Sequence, residues 1–229
     1  MRARIGIALG GIAALLLLFV SALRVEPLAA KQRAQDVLYL PSGRFVEQAA
    51  LEYSNLAADL LWFRTVQYYG SYREGENNLA LFSHLVDVIT DLDPQFVFAY
   101  LFGAMIIVED LGCFDEGIRF LEKGIAANPD NWWLVFENGF LHYVDGRRYA
   151  EASRLFAEAS RMPGAGEITK RFAAFVAMKA GEREAAVAMW EDLTRTSEDP
   201  YIRDELARKY IERLEREMEE SAAAEEEDR

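Results

Sequence analysis

The residues able to do chemistry are few. His84 and His142 are the only histidines, and Cys113 is the only cysteine. His84 stands three residues before Asp87, a spacing that permits one contact on a helix surface. A metal-binding or general-base role needs convergent partners, and neither histidine has them nearby in sequence. Asp87, Asp91 and Asp93 follow a helical spacing, and Glu109 and Asp110 are adjacent at an expected turn. Paired carboxylates perform acid–base work only when their surroundings separate their pKa values. Here they read as helix-surface charge and caps. One cysteine excludes an intramolecular disulfide and any Cys-x-x-Cys motif. It also lies too far from the N-terminal apolar run to be a lipid-anchor site. Phosphate-cradling glycine loops, a nucleophile elbow and a His-Glu metal pattern have no counterpart in the chain. The expectation is a non-enzyme without cofactor or metal.

Aromatic residues are more informative. Tyr39, Phe45, Tyr53, Trp62, Phe63, Tyr68, Tyr69 and Tyr72 crowd one block, and Trp132, Trp133, Phe136, Phe140 and Tyr143 form a second. In the first block Trp62, Val66 and Tyr69 share a helix face, and an apolar helix face is ordinarily buried. Most of that block is expected to fill the core, although a ligand pocket among its rings is the rival reading.

The elements that position these residues follow from composition and period. Valine, isoleucine and threonine are sparse while Ala, Leu, Glu and Arg dominate, which favours helix. Pro94 and Pro129 are 35 residues apart, and another 35 lead to Gly164, beside Pro163. Asp93-Pro94, Asn128-Pro129 and Asp199-Pro200 read as helix starts, with the side chain capping and proline at the first helical position. Gly117, Leu121, Gly124 and Pro129 recur in spacing as Ala152, Phe156, Ala159 and Gly164, and in part as Ala186, Trp190 and Leu193. Phe82, Val86, Ile89 and Pro94 keep the spacing with larger residues. Small positions let two helices approach, and the large one fills the groove between them. Gly103 and Gly139 mark close contacts on the preceding helices, and Gly112, Gly146 and Gly181 mark turns.

This pattern resembles the tetratricopeptide repeat, whose period is about 34 residues. The segment 39–72 followed by 88–100 is similar to small N-terminally anchored tetratricopeptide proteins of bacterial envelopes. The resemblance implies an all-α fold, a right-handed superhelical stack of antiparallel hairpins at about 97–127, 131–161 and 167–197. It also implies that Trp133, Phe136, Phe140 and Tyr143 face the concave partner groove; the alternative, with turn insertions shifting the phase, packs some of them inward. In the same register His142 takes the place of an aromatic core residue.

Ile5–Leu23 carries no charge over nineteen residues. At a rise of ~1.5 Å per residue it reaches ~28 Å, the thickness of a hydrocarbon core. It reads as an uncleaved signal anchor, or as a signal peptide cleaved after Val20-Ser21-Ala22. Arg2 and Arg4 precede it. A short basic head stays in the cytoplasm, which places the body in the periplasm of an inner-membrane protein; the alternative is a cytoplasmic body. The net charge is −13. Residues 1–33 carry +4, which leaves −17 on residues 34–229 and argues against nucleic acid as a partner. The expected organisation is a transmembrane helix (1–23), a basic linker (24–40), a pre-repeat block with a degenerate first repeat (41–96), hairpins (97–198), and a solvating helix with an acidic tail (199–229). From Glu215 onward, eight acidic and two basic residues suggest a frayed end. The function expected is a protein-interaction scaffold with a membrane-associated protein partner. Its rivals are a small-ligand or enzymatic accessory protein, and a subunit whose aromatics are buried against one obligate partner.

Overall fold

In each repeat a residue of small volume sits where two helices cross, and that choice sets the architecture. A Cβ on Gly124 would lie 2.7 Å from the Tyr100 ring, and one on Gly103 2.6 Å from Phe120. Only glycine permits these approaches, which seat α3 (Val97–Glu109) against α4 (Phe114–Ala127). Ala152 and Ala159, both fully buried, do the same for α6 (Tyr149–Arg161) under α5 (Trp132–Val144). Ala186 repeats the role in α8 (Arg183–Thr196), which packs on α7 (Glu167–Ala180).

The computed structural model describes residues 53–76 and 78–227. Its first pair is α1 (Ser54–Arg73) and α2 (Phe82–Leu92), and its last element is α9 (Ala207–Glu227), entered through a π-helical turn at Ile202–Leu206. No strand occurs among the described residues. Each helix packs on the one before and the one after, and α3 also meets α5. The result is a tetratricopeptide-like stack of helix hairpins, in which most contacts are with the nearest neighbours. Its core runs through Phe82, Val86, Ile89, Tyr100, Leu121, Leu134, Phe156, Trp190 and Leu193, all nearly or wholly excluded from solvent.

The hairpins fall at 97–127, 132–161 and 167–196, within a residue of the expected bounds. Three expectations need correction. Asp93 and Asn128 end α2 and α4 rather than starting the next helices. The starts lie three residues beyond the prolines, at Val97 and Trp132, where the Asn131 side chain accepts from the Trp133 and Leu134 amides. Asn128 instead ties one repeat to the previous one, its Nδ2 donating to the Pro94 carbonyl at 2.9 Å. Asp199 does cap as expected, accepting from the Tyr201 amide at 2.9 Å. The end expected to fray stays helical to Glu227, because Ala222–Ala224 have the highest helix propensity. Finally, the face shared by Trp62, Val66 and Tyr69 is not wholly covered: Val66 is 41% exposed, and Tyr53 and Phe63 are 69% and 63% exposed, whereas Tyr68 is buried and Trp62, Tyr69 and Tyr72 pack partly against the core.

The apolar run 5–23, the linker 24–40, Tyr39 and Phe45 lie outside the described residues. Within them, no helix is long and apolar enough to cross a membrane.

Candidate interaction face

Helix α3 is apolar nearly all round. Ala99, Tyr100, Leu101, Gly103, Ala104, Ile106, Ile107 and Val108 are buried. Apart from half-buried Val97, that leaves Phe98, Phe102, Met105 and Glu109, at intervals of four, three and four, on one stripe. The equivalent stripe of α5, 35 residues on, is Trp133, Glu137, Phe140 and Val144. Phe98, Trp133 and Val144 are 52%, 49% and 47% exposed, and Phe102, Met105, Glu137 and Phe140 are half-buried. Since α3 and α5 pack together, the two stripes form one face. Trp62 of α1 extends it, its ring lying 5.7 Å from Phe98 and 5.5 Å from Phe102 in edge-on contacts. Phe102 and Met105 pack partly against the core, while Phe98, Trp133 and Val144 stay open to water, and contiguous apolar patches of this kind mark interaction sites.

Of the four groove residues chosen from the sequence, the structure puts Trp133 on this face, stacked on Trp132 at 6.3 Å. Phe140 lies on its edge, 6.3 Å from Phe172. Phe136 and Tyr143 turn toward the next repeat. Phe136 contacts Phe156 and Phe172 at 5.0 and 5.3 Å, and Tyr143 contacts Tyr149 and Phe175 at 5.7 and 6.3 Å. Those two side chains bridge α5 to α6 and α7. The face gains Phe98, Phe102, Met105, Glu137 and Val144, which sequence reasoning did not select. A signal was available: the 35-residue period relates Phe98 to Trp133 and Met105 to Phe140, outward positions as well as inward ones.

Two carboxylates share the stripes, Glu109 exposed and Glu137 half-buried. Burial raises the pKa of Glu137, and the nearby negative charge of Glu109 raises it further. Among the described residues no lysine or arginine forms an ion pair with either carboxylate, and no hydrogen bond to either side chain is present. Asp110, the neighbour of Glu109, accepts from the Tyr69 hydroxyl at 3.0 Å and approaches Arg73 at 3.5 Å.

No family model matches the chain, and no curated protein matches it. Among solved structures, one from a functional characterisation of Pseudomonas aeruginosa PilF is similar at 16% identity, covering 74% of each chain with a TM-score of 0.46. An overlap this loose says nothing about what either surface binds.

The candidate chemical groups do not converge on the aromatic face. Exposed His84 lines a pocket of about 380 Å³ with Asp87, Ile107, Glu116, Arg119, Phe120 and Lys123, where α2, α3 and α4 meet, and no residue of the first aromatic block lines it. Lys123 is already held there, 2.6 Å from both Asp87 and Asp91 and 3.1 Å from Thr90. Burial opposes its charge, but the two carboxylates outweigh burial and raise its pKa. His142 is buried edge-on against Phe114 at 5.4 Å, a packing role. Burial lowers its pKa, and its Nδ1 has no hydrogen-bond partner among the described residues. Asp93 serves a turn, accepting from the Gln95 amide at 3.0 Å. Cys113 is exposed at the start of α4.

Proposed function

We propose that the protein is a non-catalytic interaction scaffold of the bacterial cell envelope, held to the inner membrane through residues 5–23 with its body in the periplasm. The observation that carries the scaffold reading is the paired stripe on α3 and α5, where Phe98, Phe102, Met105, Trp133, Phe140 and Val144 keep apolar surface open to water. A stack of hairpins offers such a face as a rigid, extended platform for a segment of another protein. The membrane part rests on the uncharged run and its basic flanks.

A photo-crosslinking amino acid placed at Trp133 or Phe98 in living cells tests the scaffold reading. It should trap a discrete protein partner, while the same probe at Glu219 on α9 should not. Equal crosslinking at all three positions, or none, overturns the reading. Alkaline phosphatase fused after Arg229 should be active; activity only from a cytoplasmic reporter at that site overturns the topology. N-terminal sequencing of the mature protein distinguishes an anchor from cleavage after Ala22.

A further inference from the structure

Helix α1 carries a second apolar stripe, opposite the one that packs on the stack. Ala58, Leu61, Thr65 and Tyr68 are buried, whereas Tyr53, Leu56, Leu60 and Phe63 are exposed. The intervals of three, four and three are those of the a and d positions of a heptad, the repeat by which one helix packs along another. With Tyr53 and Leu60 at a and Leu56 and Phe63 at d, the buried Ala58 and Thr65 fall at f, which faces directly away from the seam. Gln67 takes the next a position and ends the apolar run. In sequence the same spacing extends upstream through Ala49 and Val46, so the chain before α1 prolongs this stripe rather than supplying a complement to it. The flanks carry one charge of each sign. Asp59 stands at g and Arg64 at the following e, and both are exposed. In a parallel pair of helices the g side chain of one lies against the next e side chain of the other, five residues on. Asp59 of one copy thus meets Arg64 of a second, and two-fold symmetry makes the contact twice.

We propose that two copies of this chain associate through α1 as a parallel, in-register pair, with Leu56, Leu60 and Phe63 along the seam and Asp59 of each copy against Arg64 of the other. Charge selects the occupant and its direction. An antiparallel pair that kept all four seam residues matched would set the two Asp59 side chains against each other. A stripe that lies on lipid is flanked by lysine and arginine, whereas Asp59 and Arg64 cancel. A parallel pair also brings both upstream chains out at one end, as two copies entering the same bilayer require. Four side chains from each copy make an interface below the size of stable protein pairs, so dispersal in detergent separates them. Confinement to one bilayer raises the effective concentration of each copy for the other. That last step rests on the reading of residues 5–23 as an anchor.

Single cysteines in the full chain, with exposed Cys113 replaced by serine, test this when intact cells are oxidised and then fractionated. Leu56→Cys, Leu60→Cys and Phe63→Cys should each give a disulfide-linked homodimer, about fivefold or more above Asn55→Cys off the seam of α1 and Glu219→Cys on α9, because the bond forms only between closely apposed residues. Cross-linking at one seam position alone, as crossed or antiparallel helices give, overturns the parallel pair. Equal cross-linking at Asn55 and Glu219 assigns the effect to collision and overturns it too. Asp59→Arg or Arg64→Asp should lower the Leu60→Cys cross-link severalfold, and the two together should restore it. A loss that the double substitution does not restore overturns the register. These variants should melt like the parent in detergent, so that a lost cross-link reports association rather than folding. Cross-links to a different protein in place of the homodimer assign the seam to a foreign helix and overturn the proposal. Chain held in the membrane fraction without seam cross-links overturns the pair and leaves the anchor standing. Seam cross-links in soluble chain overturn the anchor and leave the pair, and soluble chain without them overturns both.

Discussion

The two ends of the stack are finished differently. At the C-terminal end α9 lays Ala207 and Leu214, both fully buried, against α8, and Tyr210 stacks on Trp190 with ring centroids 4.6 Å apart. Its outward side carries charge, including the Arg213–Glu217 pair at 2.8 Å. At the other end α1 buries Ala58, Leu61, Thr65 and Tyr68 but turns Leu56, Leu60 and Phe63 outward at 54%, 61% and 63% exposure. Terminal units of a repeat stack ordinarily present a polar outer face, because they have no further neighbour to cover an apolar one. Among the described residues the C-terminal helix obeys that rule and α1 does not.

Five substitutions probe the contrast between closed and open surfaces. Trp190→Ala should have the largest effect, a loss of roughly 3–5 kcal/mol of stability, because it empties a buried site shared by α8 and α9. Denaturant unfolding of the full chain in detergent measures it; a loss below about 1 kcal/mol would mean that α9 does not close the stack. Ala152→Leu or Ala159→Leu should cost about 1–3 kcal/mol by overpacking the α5–α6 crossing. An unchanged melting temperature would break the view that small residues set the hairpin geometry.

Glu137→Gln acts in the opposite direction. A carboxyl whose pKa is raised on folding supplies stability below its unfolded pKa, and that stability is lost as pH rises through the folded value. The charged form is thus the destabilising one. Glu137→Gln should raise the melting temperature at pH 7, with the gain fading as pH falls below the ordinary glutamate range. A gain that is the same at both pH values would show that burial and Glu109 do not act on the charge. The smallest effect belongs to the open end: Leu60→Ala should change stability by no more than about 0.5 kcal/mol, as for other surface sites. A loss of about 2 kcal/mol or more in the same unfolding experiment would show that another part of the molecule covers α1, and the contrast between the ends would fail.

Local and periodic information was sufficient for the hairpins. Glycine or alanine at a crossing leaves a spacing of three and four that only paired helices satisfy, so Gly117, Gly124, Ala152 and Ala159 were legible before any coordinates. Glycines at the turns were legible for the same local reason, and Gly112 and Gly181 do take left-handed φ values of 69° and 83°. Which side of each helix stays open was not legible, because it depends on neighbours distant in sequence. Phe136 and Tyr143 belong to an apolar helix whatever its setting, yet Phe172 and Phe175 of α7 decide that they bridge to the next repeat. Phe63 reads as core by type, and only the position of α1 at the end of the described stack leaves it outward with Leu56 and Leu60. Glu137 was invisible among many glutamates, since its burial and the charge of Glu109 beside it come from the fold. Periodicity along the chain is a property of residues close in sequence; exposure and charge pairing are properties of residues brought together in space, and these only the tertiary structure decided.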